Sequence, residues 1–314
     1  MRDSIVIIGG GMMGCGIAAV AASAGNPTIV VEKQGKAREN GPGRVGACIA
    51  ELADNGLVTR ENAESAMASL RFTDDLEEAC SHACFVIEAI VEDLAVKQEM
   101  FRTLDALLPE EVVIVSNTSG LRITDIEALC EKKQRMATAH FWFPAHLVPL
   151  VEVVMSEFTS EETAQSVRSR LKAWGKAPVI VRRDTPGQLA NRILQAVLRE
   201  AANIVEIGLA SAEDVDTAVK MGMGIRFPVW GPLEHVDGVG MDLCYKTQNS
   251  VLPAISNEQK AGPAFEKRMQ AGDLGYKTGK GFYDWSKKDM HALEQLRNAF
   301  IINAVKFIRA HSDS

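Results

Sequence analysis

No part of this 314-residue chain is an apolar run of the length that crosses a bilayer, about 20 residues. The opening Met1-Arg2-Asp3 leads directly into a strand-like run, so no cleaved leader is expected. Basic charge is also short: 34 Lys and Arg face 41 Asp and Glu, a net charge of -7. Nucleic acid and anionic membranes need a basic patch, so neither is an expected partner. The six cysteines (Cys15, Cys48, Cys80, Cys84, Cys130 and Cys244) are scattered, and no Cys/His cluster has zinc-site spacing. Reduced thiols in a cytoplasmic protein without a metal are the simplest reading. Internal repeats and low-complexity segments are missing too. What is there is ordinary globular composition, 46% hydrophobic and 24% charged, with chain enough for one or two domains.

Ser4-Ile5-Val6-Ile7-Ile8 is short, apolar and β-branched, the pattern of a parallel strand covered on both faces. Gly9-Gly10-Gly11-Met12-Met13-Gly14 follows at once, and residues 17–22 continue as a helix of small apolar residues ending near Gly25. Gly9, Gly11 and Gly14 fit G-x-G-x-x-G. The first allows a tight turn, the second lets backbone approach a pyrophosphate, and the third lets helix and strand pack closely. The helix start then offers unpaired N–H groups and a positive dipole end to phosphates. Thr28-Ile29-Val30-Val31 predicts a second buried strand, closed by Glu32 eighteen residues after Gly14. A carboxylate there binds the adenosine ribose hydroxyls and would repel a 2′-phosphate, so NAD is favoured over NADP. Lys33 and Lys36 nearby are the contrary signal.

Residues 35–43 hold four glycines or prolines and read as a loop; 45–55 and 61–70 read as two helices joined at Gly56. Further strands are expected over 85–90, 112–115, 136–140, 150–154 and 179–181, with helices over 94–108, 125–132 and 161–174. This alternation predicts an α/β fold, a Rossmann-type doubly wound sheet of about eight strands, over residues 1–184. Asp184-Thr185-Pro186-Gly187 is a turn and the expected domain boundary. Beyond it the strand signals stop. Leu189, Ile193, Val197, Ala201, Ile204, Val205 and Gly208 recur at helical spacing, opening an all-α domain over 185–314. Its broad apolar faces suit a second subunit, so a homodimer is expected. Residues 275–283 are rich in Gly and Lys, and fit either a glycine loop over phosphate or a structural turn.

Near the middle, Ala139-His140-Phe141-Trp142-Phe143-Pro144 ends one apolar run in a histidine. Leu150-Val151-Glu152-Val153-Val154 places a carboxylate inside the next, twelve residues on. On adjacent strands the two would meet, and Glu152 would fix the imidazole tautomer and make His140 a usable base. A half-buried histidine beside a solvent-facing glutamate is the commoner arrangement in general. Here Glu92, Ser119 and His140 each lie just past the carboxyl end of an expected strand, where ligands of such sheets bind.

Together these segments resemble the 3-hydroxyacyl-CoA dehydrogenase family over nearly the whole chain. The glycine loop and Glu32 match its NAD site, and Glu88-Ala89-Ile90-Val91-Glu92 its E-A-x-x-E segment. Ser116-Asn117-Thr118-Ser119 matches S-N-T-S, His140 the histidine of H-F-x-N-P, and Glu152 its partner in L-V-E-V. Pro186-Gly187 with Asn191-Arg192 matches P-G-x-x-x-N-R, and residues 275–283 the K-T-G-x-G-F-Y ending. The resemblance implies NAD contacts at Gly9, Gly11, Met12, Met13, Gly14, Glu32, Glu92, Lys97 and Asn117. It implies His140 as general base, Glu152 as its partner, and Ser119 and Asn191 on the reacting oxygen.

Three departures stand out. Phe143 replaces the asparagine of H-F-x-N-P. Residues 44–70 hold only Arg44 and Arg60 as bases against Glu51, Asp54, Glu61 and Glu64, where coenzyme A-binding members carry several lysines. Arg226-Phe227-Pro228-Val229-Trp230 places an arginine, suited to a carboxylate, beside bulky aromatics. Phe141, Trp142, Phe143 and Trp230 are expected to pack a ring, with Phe143, Trp230 and Arg226 as the substrate contacts. The leading expectation is a dehydrogenase of a small carboxylate-bearing alcohol or aldehyde. An ordinary 3-hydroxyacyl-CoA dehydrogenase is the alternative. A third is a non-catalytic protein that kept the fold, as lens lambda-crystallin does, against which the intact His140, Glu152, Ser119 and Asn191 argue.

Overall fold

The structure, a computed structural model, describes residues 2–311. The chain divides into two compact units, residues 1–189 and 190–314. In chain order the first holds β1 (Ser4–Ile8), α1 (Met12–Ser23), β2 (Thr28–Val31), α2 (Gly35–Asp54), α3 (Arg60–Ala68), β3 (Leu70–Thr73), α4 (Leu76–His82) and β4 (Ala83–Glu88). Then come α5 (Leu94–Leu107), β5 (Val113–Ser116), α6 (Ile123–Ile126), β6 (Met136–Phe141), β7 (Leu150–Val154), α7 (Glu161–Ala173) and β8 (Ala177–Val181). All eight strands share one sheet in the order β3-β2-β1-β4-β5-β6-β7-β8. β1 to β6 are parallel, and β7 turns back antiparallel to β6 with β8 alongside it. Strand order reverses between β1 and β4, the crevice where such sheets bind ligands.

Side-chain alternation sorts the two faces. Ile5, Ile7, Phe85, Ile87, Val151 and Val153 enter one apolar layer with residues of α1, α2, α3 and α7. Val6, Ile8, Val86 and Ile114 enter the other, with residues of α4, α5 and α6. Cover on both sides is why β1, β2 and β4 are unbroken apolar runs.

The structure corrects the reading of residues 35–43: they are the first turns of α2, with Pro42 inside the helix. One of the glycines, Gly41, serves packing here. A Cβ on Gly41 would lie 2.2 Å from the Phe72 ring, so glycine is what lets β3 approach α2. β3 itself escapes notice because it is a four-residue edge strand without a buried face. β4 ends at Glu88, two residues early, and β8 starts two residues early.

The second unit is helical: α8 (Ala190–Glu206), α9 (Ala212–Ala218), α10 (Pro232–Val239), α11 (Met241–Val251), α12 (Pro263–Ala271) and α13 (Met290–Ala310). Residues 275–283 close on themselves. Gly275 donates to the Lys280 carbonyl (2.7 Å), Arg268 stacks over Phe282 (3.7 Å), and the Tyr283 hydroxyl donates to Asp216 (2.9 Å). That is a structural turn, its amides turned inward. No helix among the described residues is long and apolar enough to cross a membrane.

Candidate active site

The glycine turn joins β1 to α1, and its three glycines answer three different demands. Gly9 has φ 107°, and a Cβ there would lie 2.5 Å from the Ala89 carbonyl oxygen. On Gly14 it would lie 1.9 Å from the Gly9 oxygen. On Gly11 it would meet nothing within 4 Å. Two glycines therefore make the turn and seat the helix, while Gly11 leaves its mouth open on the side a pyrophosphate approaches. Met12 and Met13 form the first turn of α1. Glu32, just past β2, accepts the N–H of Gly10 (2.8 Å) on one oxygen and of Gln34 (2.9 Å) on the other. Each oxygen keeps a lone pair for a ribose hydroxyl. This cradle fits NAD.

The carboxyl ends of β4 and β5 carry a buried polar group. Glu88 accepts from Lys97 Nζ (2.6 Å) and the Ile90 N–H (2.7 Å) on one oxygen, and from the Ser116 hydroxyl (2.6 Å) on the other. Lys97, an NAD contact by the resemblance, spends its ammonium on Glu88 and lies 3.5 Å from Glu92. A buried carboxylate demands a paired cation, which commits Lys97 to Glu88; its charge reaches the site through Glu92. Glu88 and Ser116 open the E-A-x-x-E and S-N-T-S matches, but sequence reasoning gave neither a role; the signal was an acidic residue ending an apolar run.

One oxygen of Glu92 accepts from the Thr118 hydroxyl (2.7 Å), the Gly120 N–H (2.9 Å) and the Ser119 N–H (3.0 Å), with the Ser119 hydroxyl at 3.4 Å. Burial pushes the Glu92 carboxyl up, but these bonds and the charge of Lys97 outweigh it and hold it below the ordinary range. Ionised Glu92 thus pins the Ser119 loop. Asn117 Oδ1 accepts the Phe141 N–H (2.9 Å), tying that loop to β6 beside His140.

His140 and Glu152 stand directly opposite in the antiparallel register of β6 and β7. Such neighbours are close enough for their side chains to meet, and His140 Nδ1 lies 2.8 Å from Glu152 Oε2. An ionised carboxylate only accepts, so Nδ1 carries the proton and Nε2 is left as the base. The same Oε2 accepts the Trp142 indole N–H (3.0 Å), and Oε1 accepts the Leu189 N–H (2.9 Å). The Trp142 N–H is thus committed to Glu152, while Phe141 is buried in the core and, contrary to the sequence expectation, offers no ring to a ligand. Phe143 is 49% exposed beside the dyad.

Asn191 lies in the first turn of α8, in the second unit. On that unit Arg226 is exposed, with Nε 3.3 Å from the Gly222 oxygen, and Trp230 packs edge-on against His235 at 5.0 Å. The six cysteines are free, and burial pushes the thiols of Cys48 and Cys80 up to about 11 and Cys130 up to about 12, which leaves them protonated and unreactive.

A dinucleotide cradle at the switch point of a parallel sheet, sharing its edge with an imidazole held ready for a proton, defines an NAD-dependent dehydrogenase. The chain matches the 3-hydroxyacyl-CoA dehydrogenase NAD binding domain over residues 4–185 and the C-terminal domain of the same family over residues 187–285. It belongs to the 3-hydroxyacyl-CoA dehydrogenase family. It is 34% identical to a 5-formyl-3-hydroxy-2-methylpyridine 4-carboxylate 5-dehydrogenase of Mesorhizobium japonicum over 298 residues, 95% of each chain. It is 38% identical to a probable 3-hydroxybutyryl-CoA dehydrogenase of Bacillus subtilis over 285 residues, 90% of this chain and 98% of the relative. A crystal structure of a 5-formyl-3-hydroxy-2-methylpyridine 4-carboxylic acid 5-dehydrogenase, an NAD+-dependent dismutase, superimposes with a TM-score of 0.89 at 32% identity, covering 98% of this chain and 99% of that one.

Proposed function

We propose that the protein oxidises a small aldehyde bearing a carboxylate, with 5-formyl-3-hydroxy-2-methylpyridine-4-carboxylate, an intermediate of vitamin B6 breakdown, as the leading substrate and the dicarboxylate as product. The observation that carries this is the charge over residues 44–70 of α2 and α3; Lys36 and Arg38 lie at the start of α2, outside that stretch. Asp54, Glu61 and Glu64 are exposed there, and Glu51 is held by His146 (2.7 Å). Arg44 and Arg60 are the only bases over residues 44–70. The several phosphate charges of a coenzyme A ester would meet repulsion on that surface. Phe143 adds an apolar face beside the dyad. On the second unit, Trp230 offers a ring and Arg226 a fork for a carboxylate.

In this reading His140 takes a proton from water as it adds to the aldehyde, and returns it to the aldehyde oxygen. The hydrate then gives one hydroxyl proton to His140, with Glu152 balancing the imidazolium. Ser119 holds the reacting oxygen, the role that the resemblance also gives Asn191. NAD, when bound over Gly9 to Gly14 and Glu32, supplies the hydride acceptor. A second reading, an (S)-3-hydroxyacyl-CoA dehydrogenase, draws on the higher identity to the Bacillus relative. A non-catalytic role is disfavoured by the intact dyad. A homodimer through the helical unit accounts for Leu209, Met221, Val229, Leu233 and Leu296, each between 68% and 79% exposed.

The test is NADH formation from NAD with the pyridine aldehyde carboxylate and 3-hydroxybutyryl-CoA offered in parallel. Turnover of the aldehyde supports the proposal. Turnover of the thioester alone, at an ordinary rate of roughly ten per second, overturns it.

A further inference from the structure

Gln188 ends the first unit with Leu189, and none of the roles above explains it. Its φ of 51° is the one positive value outside glycine among the described residues. The side chain is buried, only 5% exposed. Nε2 donates to the Thr118 carbonyl (3.2 Å), one residue before Ser119. The next residue gives its N–H to Glu152 (2.9 Å). The amide is thus held between the Ser119 loop and the carboxylate of the base. That bond also sets its orientation, since a carbonyl accepts only from nitrogen. The other end, Oε1, is a buried acceptor that meets no donor. A residue in the left-handed region with an unmet buried acceptor is doubly unfavourable, a pattern that recurs where a ligand completes a site.

We infer that Gln188 Oε1 accepts a hydrogen bond from the second hydroxyl of an aldehyde hydrate. The inference rests on the aldehyde reading above. A secondary alcohol has one hydroxyl, and the base takes its proton. A hydrate has two. One O–H bond breaks and its proton passes to His140. The C–H bond breaks and its electron pair leaves as hydride to NAD, while the C=O bond forms. The second hydroxyl stays on carbon and needs an acceptor that does not compete for the first proton. An uncharged amide oxygen meets that need. As the carbon becomes trigonal the remaining O–H grows more acidic, so its bond to Oε1 strengthens toward the transition state, where binding raises turnover. The acid formed then loses its proton to solvent: R–CH(OH)2 + NAD+ gives R–COO− + NADH + 2 H+. Reduction of the same aldehyde to its alcohol by NADH involves one oxygen only, and gives Gln188 no task.

Gln188→Met keeps the length of the side chain and removes the acceptor together with the Nε2 donor to Thr118, a loss that acts on both directions alike; Gln188→Leu is the second variant should the first fold poorly. Both half-reactions are followed on the one aldehyde, with NAD binding by calorimetry and the melting temperature as controls. Oxidation is expected to fall roughly ten- to a hundredfold. Reduction by NADH, NAD affinity and melting are expected to stay within about twofold or a few degrees of the parent. Equal loss in both directions would make Gln188 a mere support of the Thr118 loop and overturn the inference, as would unimpaired oxidation. Failure of the unsubstituted protein to oxidise any aldehyde is a separate result, which removes the underlying reading and this one with it.

Discussion

His140 owes its direction to Glu152, a carboxylate that gathers three donors within 3.0 Å: His140 Nδ1, the Trp142 indole and the Leu189 amide. His140→Leu removes the base and touches nothing in the glycine turn. Turnover is expected to fall by about 10²- to 10⁴-fold, with NAD affinity unchanged in a fluorescence titration. Loss of both together would show that His140 holds the cofactor side in place instead. Glu152→Gln offers one acceptor oxygen in place of two. It should lower turnover nearly as far, and melt several degrees lower, because a donor of the trio is left buried and unpaired. The dyad was legible because a histidine and a glutamate sat inside two apolar runs. The N–H bond of Trp142 to Glu152 was not legible, because an indole is both a ring and a donor and its donor partner is set by the fold.

Within the β1-α1 turn, glycines that look alike in sequence separate by what surrounds them. Gly14→Ala would drive a methyl group into the Gly9 carbonyl, 1.9 Å away, and backbone cannot step aside. A loss on the order of 3 kcal/mol is expected. Gly11→Ala projects into open space. Its stability should stay within about 0.5 kcal/mol, while NAD binding weakens because the methyl group stands where phosphate approaches. Calorimetric melting and NAD titration of both variants check this, and a Gly11→Ala protein that binds NAD normally would refute it. α2 is the converse case. Its glycines and Pro42 read as a loop because local propensity points that way. Phe72, thirty-one residues beyond Gly41, turns the same composition into a packing surface.

Stability of the whole chain should depend on Glu127, a fully buried carboxylate that follows α6. Burial pushes its carboxyl from 4.5 up to about 7; Ser156 and Lys133 offset part of the rise, while Asp184 and Glu157 add to it. Between those values the folded protein binds the proton more tightly than the unfolded chain. Stability therefore falls as pH rises through that window, and the penalty is complete above it. Glu127→Gln removes it. The variant should exceed the parent by up to about 3 kcal/mol at pH 8, and by much less at pH 5. Denaturant unfolding at the two values decides the matter: an equal gap at both would mean that the charge of Glu127 is not the cause.

The sequence by itself determined the class of fold, the cofactor and the family. Those rest on local repeats of hydrophobicity and on glycines whose neighbours in the chain supply the geometry. The dyad needed only two adjacent strands. Tertiary structure decided what distant segments do to each other. It set Lys97 on Glu88, Trp142 on Glu152 and Gln188 against Thr118, and made residues 35–43 a helix. Each of these depends on a partner brought close by the sheet, and hydrogen bonds and packing act over a few ångströms of space whatever the separation along the chain.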